Sequence, residues 1–269
     1  MFFNQTTFIG VDPTAGQQPF VYAALDGELR LLALGEGSQE EVLAFSAGQR
    51  QAAAGVCAPR QPNLGLLARE EVRARFSPPP RPGRWVGFRL AEFSLRQHNI
   101  STPRTPGREE DCANWMRMGF SLHRRLEGLG YRRLGGGEGD PPEAEAGPPQ
   151  GQGRLCLEVY PHAAYTVLLG RAPLPKKSFE GRIQRQLVLH DLKLQVPDPM
   201  RIFEEITRHR LLKGSLPLDD LYSPAELDAL VAAYTAWLAV AHPEQTTCLG
   251  DAQEGLVVLP TPELKPWYP

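Results

Sequence analysis

The chain has 269 residues, and its 29 Lys and Arg against 31 Asp and Glu leave a formal net charge of -2 at pH 7. This balance excludes a global basic field of the kind that draws a protein to nucleic acid or to an anionic membrane, so any phosphate binding has to be local. No apolar run reaches the roughly 20 residues of a membrane-spanning helix, and Met1 to Gln5 lacks the charged and apolar regions of a signal peptide. We therefore expect a cytoplasmic protein that forms one domain over residues 1–269, with no membrane partner.

The cysteine pattern indicates reduced thiols. It contains no C-x-x-C pair of the kind that binds zinc and no dense framework of the secreted kind. The four cysteines are widely scattered, at Cys57, Cys112, Cys156 and Cys248. We interpret them as packed side chains, with a catalytic role as the minor alternative.

The first sixty residues predict three strands, a helix and a fourth strand. Asp26-Gly27 between two apolar runs is a strong hairpin signal, so the chain opens with an antiparallel meander. Ser38 and Glu41 have the spacing of a capping box, which starts a short helix. The predicted strands are Thr6 to Val11, Phe20 to Leu25, Leu29 to Leu34 and Ala52 to Cys57, and the helix ends near Ala47.

The middle of the chain is less regular. Residues 60–108 are rich in Pro and Arg and predict only a helix around Glu70 to Phe76, whereas apolar residues at helical spacing predict a helix from Asp111 to Leu129. Residues 135–153 consist almost entirely of Gly, Pro, Ala and polar residues, which cannot bury enough apolar surface to offset the entropy of ordering. We expect a flexible surface insertion there.

A fifth strand, Leu155 to Tyr160, and four further elements complete the prediction. Ser223, Pro224 and Glu226 supply a cap, a favoured first residue and a capping-box acid at the start of the last helix. The remaining predicted elements are the helices Ser178 to Leu192, Asp198 to Lys213 and Pro224 to Ala241, and a strand Leu256 to Leu259.

Three acids occupy apolar surroundings, where a carboxylate costs free energy unless it is paired, hydrogen-bonded or bound to a cation. Asp12 follows the first strand, Glu158 lies inside the fifth, and Asp228 begins a narrow face of small residues on the last helix. Each has a structural alternative: Asp12 can accept backbone N–H groups in its turn, Glu158 can pair with an arginine, and Asp228 is well placed in the helix dipole. Together they predict a divalent-metal site, with all three as metal ligands and catalytic residues.

Hard cations such as Mg²⁺ and Mn²⁺ favour carboxylate oxygens, and a pair of them about 4 Å apart can activate water and stabilise the leaving oxygen in phosphodiester cleavage. Acids alone would repel a polyanion, so phosphate contacts have to come from cations nearby. The segment after the fifth strand offers Lys177, Arg182 and Arg185 for this purpose. A solvated charged surface is the alternative interpretation of this run.

Four groups of residues together resemble a known pattern: Gly10-Val11-Asp12, Glu158-Val159-Tyr160-Pro161-His162, Lys177 with Gly181, Arg182 and Arg185, and Asp228-Ala229-Leu230 with Ala232-Ala233. In their order and spacing the chain is similar to a large family of uncharacterised proteins, grouped as a domain of unknown function and commonly described as predicted nucleases with an RNase H fold. The resemblance implies an α/β fold with a central five-stranded mixed sheet in the order 3-2-1-4-5, flanked by helices and carrying insertions. It also implies that His162 joins the substrate contacts.

Cys57 departs from that family pattern. The members compared carry an Asp near the end of the fourth strand, in an Ile-Asp-Ala-Pro-like run, where this chain has Gly55-Val56-Cys57-Ala58-Pro59. A neutral thiol is a poor ligand for Mg²⁺. The site would then hold one metal weakly, select a softer metal, or be inactive.

The leading expectation is a Mg²⁺- or Mn²⁺-dependent nuclease or phosphodiesterase, which acts on nucleic acid or a nucleotide-like substrate through a metal-activated water. A non-catalytic binding or scaffold protein on an RNase H-like fold is the alternative, because Cys57 replaces an acid and a fold does not guarantee activity. A phosphotransferase of the actin-like fold is less favoured. The segment Asp12 to Gly16 resembles the first phosphate loop of such kinases, but the sequence offers no convincing second loop.

Overall fold

The protein is represented by a computed structural model that describes residues 6–14, 19–135, 153–205, 211–214 and 218–269. Within these ranges the chain forms eight strands and eight α-helices. The strands are β1 Thr7–Asp12, β2 Phe20–Leu25, β3 Leu31–Gly37, β4 Ala52–Val56, β5 Tyr131–Arg133, β6 Arg154–Glu158, β7 Thr247–Asp251 and β8 Gly255–Leu259. The helices are α1 Gln39–Ala47, α2 Glu70–Arg73, α3 Leu90–Gln97, α4 Asn114–Gly128, α5 Pro161–Leu169, α6 Phe179–Asp191, α7 Arg201–Glu205 and α8 Pro224–Ala241.

All eight strands belong to one mixed sheet. Its order is β3-β2-β1-β4-β6-β8-β7, and β5 pairs with β6 off this path. The hairpins β1–β2, β2–β3 and β7–β8 are antiparallel, whereas β1, β4, β6 and β8 run parallel to their neighbours in the centre. The protein is thus a mixed α/β structure with a central sheet flanked by helices.

The expectation of a five-stranded sheet in the order 3-2-1-4-5 is wrong. The five strands expected for that sheet are β1, β2, β3, β4 and β6, and the sheet continues beyond β6 to β8 and β7. Strand β8 contains the further strand predicted at Leu256 to Leu259. Strand β7 was not predicted, because its residues are at most partly buried and give no apolar run. The short β5 has one buried residue, Tyr131, and two exposed arginines, so its sequence does not read as a strand.

Most helices begin and end close to the predicted residues. The capping boxes of α1 and α8 are both formed, through Ser38 with Glu41 and Ser223 with Glu226. Helices α3 and α5 were not predicted, and the expected helix from Asp198 to Lys213 is seen as α7 and a 3-10 turn at Leu211–Lys213, with residues 206–210 between them outside the described ranges. The predicted flexible insertion, residues 135–153, also lies almost entirely outside the described residues.

Helix α8 crosses one face of the sheet at very short range, over β1, β2 and β4. Two strand glycines allow this approach. A Cβ atom at Gly10 would overlap the carbonyl oxygen of Ala229, and one at Gly55 would lie 2.6 Å from the carbonyl oxygen of Ala232. The predicted small-residue character of α8 therefore serves direct backbone packing on the sheet.

The opposite face of the sheet is covered by α1 and α4. Ile9, Val11 and Cys156 pack there with Leu122 and Leu126 of α4. Residues 60–108, which gave few sequence signals, carry α2 and α3 and form an apolar cluster of their own that includes Leu66, Leu67, Val72, Leu90 and Phe93. None of the helices within the described residues combines the length and apolarity needed to cross a bilayer.

The substitution Gly10→Ala is expected to lower the free energy of unfolding by about 3 kcal/mol, the upper end of overpacking costs, because the new methyl group meets helix backbone that cannot rotate away. Urea unfolding measures this. Gly128→Ala is the matched control, since its Cβ meets nothing within 4 Å. It should leave stability unchanged or raise it by up to about 0.5 kcal/mol. Equal losses in the two variants would contradict the close-packing interpretation.

Candidate functional site

Asp12 lies where β1 leaves the sheet, on the face covered by α8. Side chains alternate along a strand, so Asp12 shares the face of Gly10 and Phe8, which pack against α8. Its Oδ1 accepts the backbone N–H of Thr14 at 2.8 Å. The backbone acceptor role that the sequence offered as an alternative is therefore present, and it leaves the carboxylate facing the helix.

Asp228 meets Asp12 from the second turn of α8. It is 5 % exposed, and it lies one turn after the cap at Ser223, on a helix that packs on β1. Its Oδ2 forms an ion pair with Nζ of Lys176 at 2.7 Å. Two acids from opposite ends of the chain thus share one buried location, with one ammonium group beside them.

Burial and mutual repulsion both disfavour the charged forms of the two acids. Burial, followed by the repulsion of Asp228, raises the pKa of Asp12 to about 7, against the opposing effects of Thr14 and Lys176. Burial also raises the pKa of Asp228, although Lys176, Arg185 and His162 oppose that rise. Such shifts are typical of two carboxylates that compete for too few cations. A further positive charge at this place, whether a proton or a metal ion, would lower the free energy of the site.

Cys57 stands beside Asp12 on the neighbouring strand. The pairing of Val11 with Val56 continues through the backbone N–H of Cys57, which donates to the carbonyl of Val11 at 2.8 Å. Its Sγ donates to the carbonyl of Asp228 at 3.4 Å, and burial with the two acids raises the pKa of the thiol well above its usual value. The position where related chains are expected to carry an acid is therefore inside the site, but it holds a protonated thiol.

Lys176 reaches the site from the loop before α6. Ser178 caps α6 and fixes this loop, because its backbone N–H and its hydroxyl both donate to the carbonyl of Pro175, at 3.0 and 2.9 Å. Gly181 packs on the same carbonyl so closely that a Cβ atom would overlap it. Sequence analysis selected Lys177 for the site, because two adjacent lysines look alike until the loop geometry is known; Lys177 is exposed.

Glu158 is not part of this group, and its predicted convergence with Asp12 and Asp228 is corrected. Residues 156 and 158 of β6 face the α4 side of the sheet, as the packing of Cys156 shows, whereas Asp12 faces α8. Arg89 holds both oxygens of Glu158 at 2.8 Å, and the backbone N–H of Arg60 donates to Oε1 at 3.0 Å. The arginine pair that the sequence left open is the observed one.

Arg89 is the centre of a buried polar network that sequence analysis missed. It is fully buried, and it also donates to the carbonyl of Glu254 at 2.5 Å. Burial alone would lower the pKa of Arg89, but the attraction of Glu158 outweighs it and the pKa is raised. Glu254 in turn accepts the backbone N–H of Leu90 at 2.6 Å. The network ties the Pro- and Arg-rich segment to β6 and β8, and nothing in its local sequence marks Arg89 among so many arginines.

Two of the cations expected to contact phosphate are occupied by backbone carbonyls. Arg182 donates to Leu221 and Tyr222 at 2.5 and 2.8 Å. Arg185 is 3 % exposed, donates through Nη1 to Leu174 and Gly181, and lies over the ring of Tyr165 at 5.3 Å. Arg185 therefore supports the loop that carries Lys176, and Arg182 supports the segment before α8. Both guanidinium groups are occupied by these carbonyls.

His162 lies near the acidic pair, at the start of α5. Burial, together with the positive charge of Arg185, lowers the pKa of its ring, whereas Asp228 raises it. Its side chain retains substantial exposure. Of the four predicted substrate contacts, His162 and Lys177 thus remain accessible at the surface.

The donor set fits one hard cation better than two. Among the residues that the structure describes, no three His, Cys, Asp or Glu side chains are grouped as metal ligands. Asp12 and Asp228 supply two carboxylates, and Lys176 already satisfies part of their charge. Carboxylate oxygens suit Mg²⁺ or Mn²⁺, which complete their coordination with water.

The fold and this site define a mixed α/β protein with a carboxylate pair, one acid buried and one partly buried, at the end of β1. The chain belongs to the family described as protein of unknown function (DUF429), whose profile it matches over residues 65–254. The matched range includes Arg89, Glu158, Lys176 and Asp228 but begins after Asp12 and Cys57. No curated protein and no solved structure matches the chain.

The substitution Asp12→Asn is expected to gain stability relative to the wild type as pH rises. A carboxyl group whose folded pKa is raised to about 7 contributes most to stability below its unfolded pKa and loses this contribution as pH rises through 7. Between about pH 4 and about pH 8 the difference should shift by about 4 kcal/mol in favour of the variant. Asn retains the acceptor for Thr14, so the turn is preserved. Urea unfolding at the two pH values measures the shift, and a pH-independent difference would disprove the strained pair.

Removing one partner of the buried Arg89–Glu158 pair is expected to cost about 3–5 kcal/mol, because the remaining charge stays buried without compensation. Arg89→Met tests this by urea unfolding. The matched control is Arg124→Met, which breaks an exposed pair with Glu109 at 3.1 Å and should cost less than about 1 kcal/mol. A double variant, Arg89→Met with Glu158→Leu, should recover much of the loss. A small effect of Arg89→Met alone would show that Glu158 is satisfied in another way.

Proposed function

We propose that this protein is a divalent-metal-dependent phosphodiesterase that acts on nucleic acid or a nucleotide-like substrate. The observation that supports it is the meeting of Asp12 and Asp228 at the end of β1, in a place where burial and mutual repulsion raise the pKa of Asp12 to about 7. Folding free energy is given up to hold these acids together. Strained titratable groups are typical of functional sites.

A single Mg²⁺ or Mn²⁺ ion is the cofactor that this donor set favours, with Asp12 and Asp228 as its protein ligands. Such an ion, when bound, supplies Lewis-acid activation of water and neutralises charge on a phosphoryl group. The residues of the chain have separate roles. The two carboxylates would hold the ion, while Gly10 and Gly55 allow α8, and so Asp228, to lie against the strand ends.

The phosphate of a substrate would meet three exposed or half-exposed groups around the pair: Lys176, Lys177 and His162. They provide the local positive charge that the whole chain, at a net charge of -2, does not. Arg182 and Arg185 are positioning residues in this proposal, because they hold the carbonyls of the surrounding loops. Glu158 has no part in the chemistry.

An RNase H-like fold is part of the proposal. The central strands support it: β1 lies between antiparallel β2 and parallel β4, and β4 is followed by parallel β6. The hairpin β7–β8 and strand β5 extend the sheet beyond the five strands expected for that fold. Within this arrangement an acid at the end of the central strand is placed where a crossing helix can bring a second one.

Cleavage of single-stranded, duplex and hybrid nucleic acid in the presence of Mn²⁺ or Mg²⁺ tests the proposal. Asp12→Asn and Asp228→Asn are expected to lower kcat at least about 100-fold, because each removes a charged ligand from the ion. Glu158→Gln serves as the matched acid-to-amide control and should retain activity per folded molecule, with folding checked by circular dichroism. Activity that survives in both aspartate variants would refute the site.

A variant that adds a carboxylate to the site tests the proposed metal binding from the opposite direction. Cys57→Asp adds a carboxylate to the face that holds Asp12 and Asp228, and is expected to tighten Mn²⁺ binding about tenfold or more, since affinity rises with ligand charge. Cys57→Asn is its neutral control. The aspartate variant should be less stable than wild type without metal and should recover when Mn²⁺ is added. No difference between the two variants would place residue 57 outside the site.

A non-catalytic binding protein is the second candidate, and two observations favour it. Cys57 occupies the strand position beside Asp12 with a protonated thiol, and Lys176 already forms an ion pair with Asp228. Isothermal titration calorimetry separates the candidates, because a folded protein that binds neither Mn²⁺ nor Mg²⁺ supports the binding protein. The phosphotransferase alternative depended on residues 12–16, of which 15 and 16 lie outside the described ranges.

A further inference from the structure

The charges around the acidic pair are unevenly shared. Asp228 has Lys176 at 2.7 Å, while Asp12 has only a backbone N–H among its short contacts in the described residues. One ammonium group serves two carboxylates. A divalent ion added to this arrangement would give a positively charged site, whereas two such ions would leave a large excess of positive charge with few oxygens to hold them.

The geometry of its loop fixes Lys176 at the site. Its backbone belongs to a loop fixed on both sides, by the cap at Ser178 and by the contact of Gly181 with the carbonyl of Pro175. Its Nζ forms an ion pair with Oδ2 of Asp228 at 2.7 Å, while about half of the side chain stays exposed to solvent.

Cys57 limits the number of positive charges that the site can hold. A third carboxylate at residue 57 would lie on the same face as Asp12, in register with it. The cysteine found at that position directs its Sγ to the carbonyl of Asp228, to which it donates at 3.4 Å. The site thus lacks an anionic ligand that a second metal ion would require, and it has a fixed organic cation instead.

We propose that Lys176 takes the place of a second divalent cation in a site that binds a single ion. The ammonium group of Lys176 repels that ion and also contacts a substrate phosphate. This inference rests on the proposed metal-dependent function and assigns the positive charges within it. A phosphodiester fits such a site because it has two non-bridging oxygens. One would face the ion and the other Lys176.

The inference predicts opposite effects of one substitution on two measurements. Lys176→Met removes a like charge from beside the ion, and is expected to tighten Mn²⁺ binding about tenfold or more at alkaline pH, where the acids are ionised. The same variant should raise KM for bis(para-nitrophenyl) phosphate about tenfold, since one phosphate contact is lost. A residue that only supports the fold would weaken both.

Calorimetry with MnCl₂ on the full chain gives the first measurement and steady-state kinetics the second. Lys193→Met is the matched control: it removes the same charge from an exposed position beyond the end of α6, outside the site, and its Mn²⁺ affinity should stay within about twofold of wild type, as for a solvent-screened charge. Lys176→Gln provides a second neutral variant that can still hydrogen-bond Asp228, in case the methionine variant does not fold. One Mn²⁺ per wild-type chain is expected.

The outcomes are distinguishable. Tighter Mn²⁺ binding with a higher KM in a Lys176 variant supports the inference. If wild type binds Mn²⁺ and the neutral Lys176 variants bind it equally or more weakly, the inference fails while the metal site stands. Two Mn²⁺ ions per wild-type chain would also overturn it. Absence of Mn²⁺ binding in folded wild type and in both folded variants would overturn the metal site together with the inference.

Discussion

The direct packing of α8 backbone on β1 and β4 is the constraint on which the rest of the structure depends. Gly10 and Gly55 have no room for a side chain beneath the helix, and Ala229, Ala232 and Ala233 provide its matching surface. This contact closes the largest apolar cluster, which the helix shares with Phe8, Leu157 and Val258. It also decides where the first turns of the helix lie, and therefore where Asp228 lies. Stability and the candidate site come from the same contact, because a helix one side chain further from the sheet would carry Asp228 away from Asp12.

The sheet separates two buried charge systems that use opposite solutions to one problem. On the α4 side, Glu158 is held by both nitrogens of Arg89, and the ion pair joins the segment of α3 to the sheet. On the α8 side, Asp12 and Asp228 share a single half-exposed lysine. In the first system the carboxylate is paired with a guanidinium, and its role is structural. In the second, burial and repulsion destabilise the charged carboxylates and lower the stability of the fold. A protein keeps a destabilising group most readily where a ligand offsets the loss. This contrast, rather than the number of acids, separates the candidate site from the supporting network.

The loop from Pro175 to Ser178 places Lys176 beside the acidic pair. Arg182 and Arg185 were predicted from sequence as ligand contacts, but both donate to backbone carbonyls. Arg185 holds the loop that presents Lys176, and Arg182 holds the segment before α8. The arginines then act through position and the lysine through charge. Cys57 stands where an acid was expected, so the proposed metal site would have two carboxylates and one fixed ammonium group. The family has no assigned function, so the proposed activity is inferred from the chemistry of these residues.

Local sequence determined the elements whose signals are local. The capping boxes of α1 and α8, the Asp26-Gly27 hairpin and the apolar strands β1, β2, β4 and β6 depend on neighbours a few residues apart, and each was predicted close to its observed place. It also identified Asp12 and Asp228 as acids in surroundings that demand a partner. Only the tertiary structure decided which partner each acid has. Glu158 differs from Asp12 by the face of the sheet on which it lies, and Lys176 differs from Lys177 by the path of one fixed loop. Both differences arise from contacts between residues far apart in the chain, which no local pattern of residue types encodes.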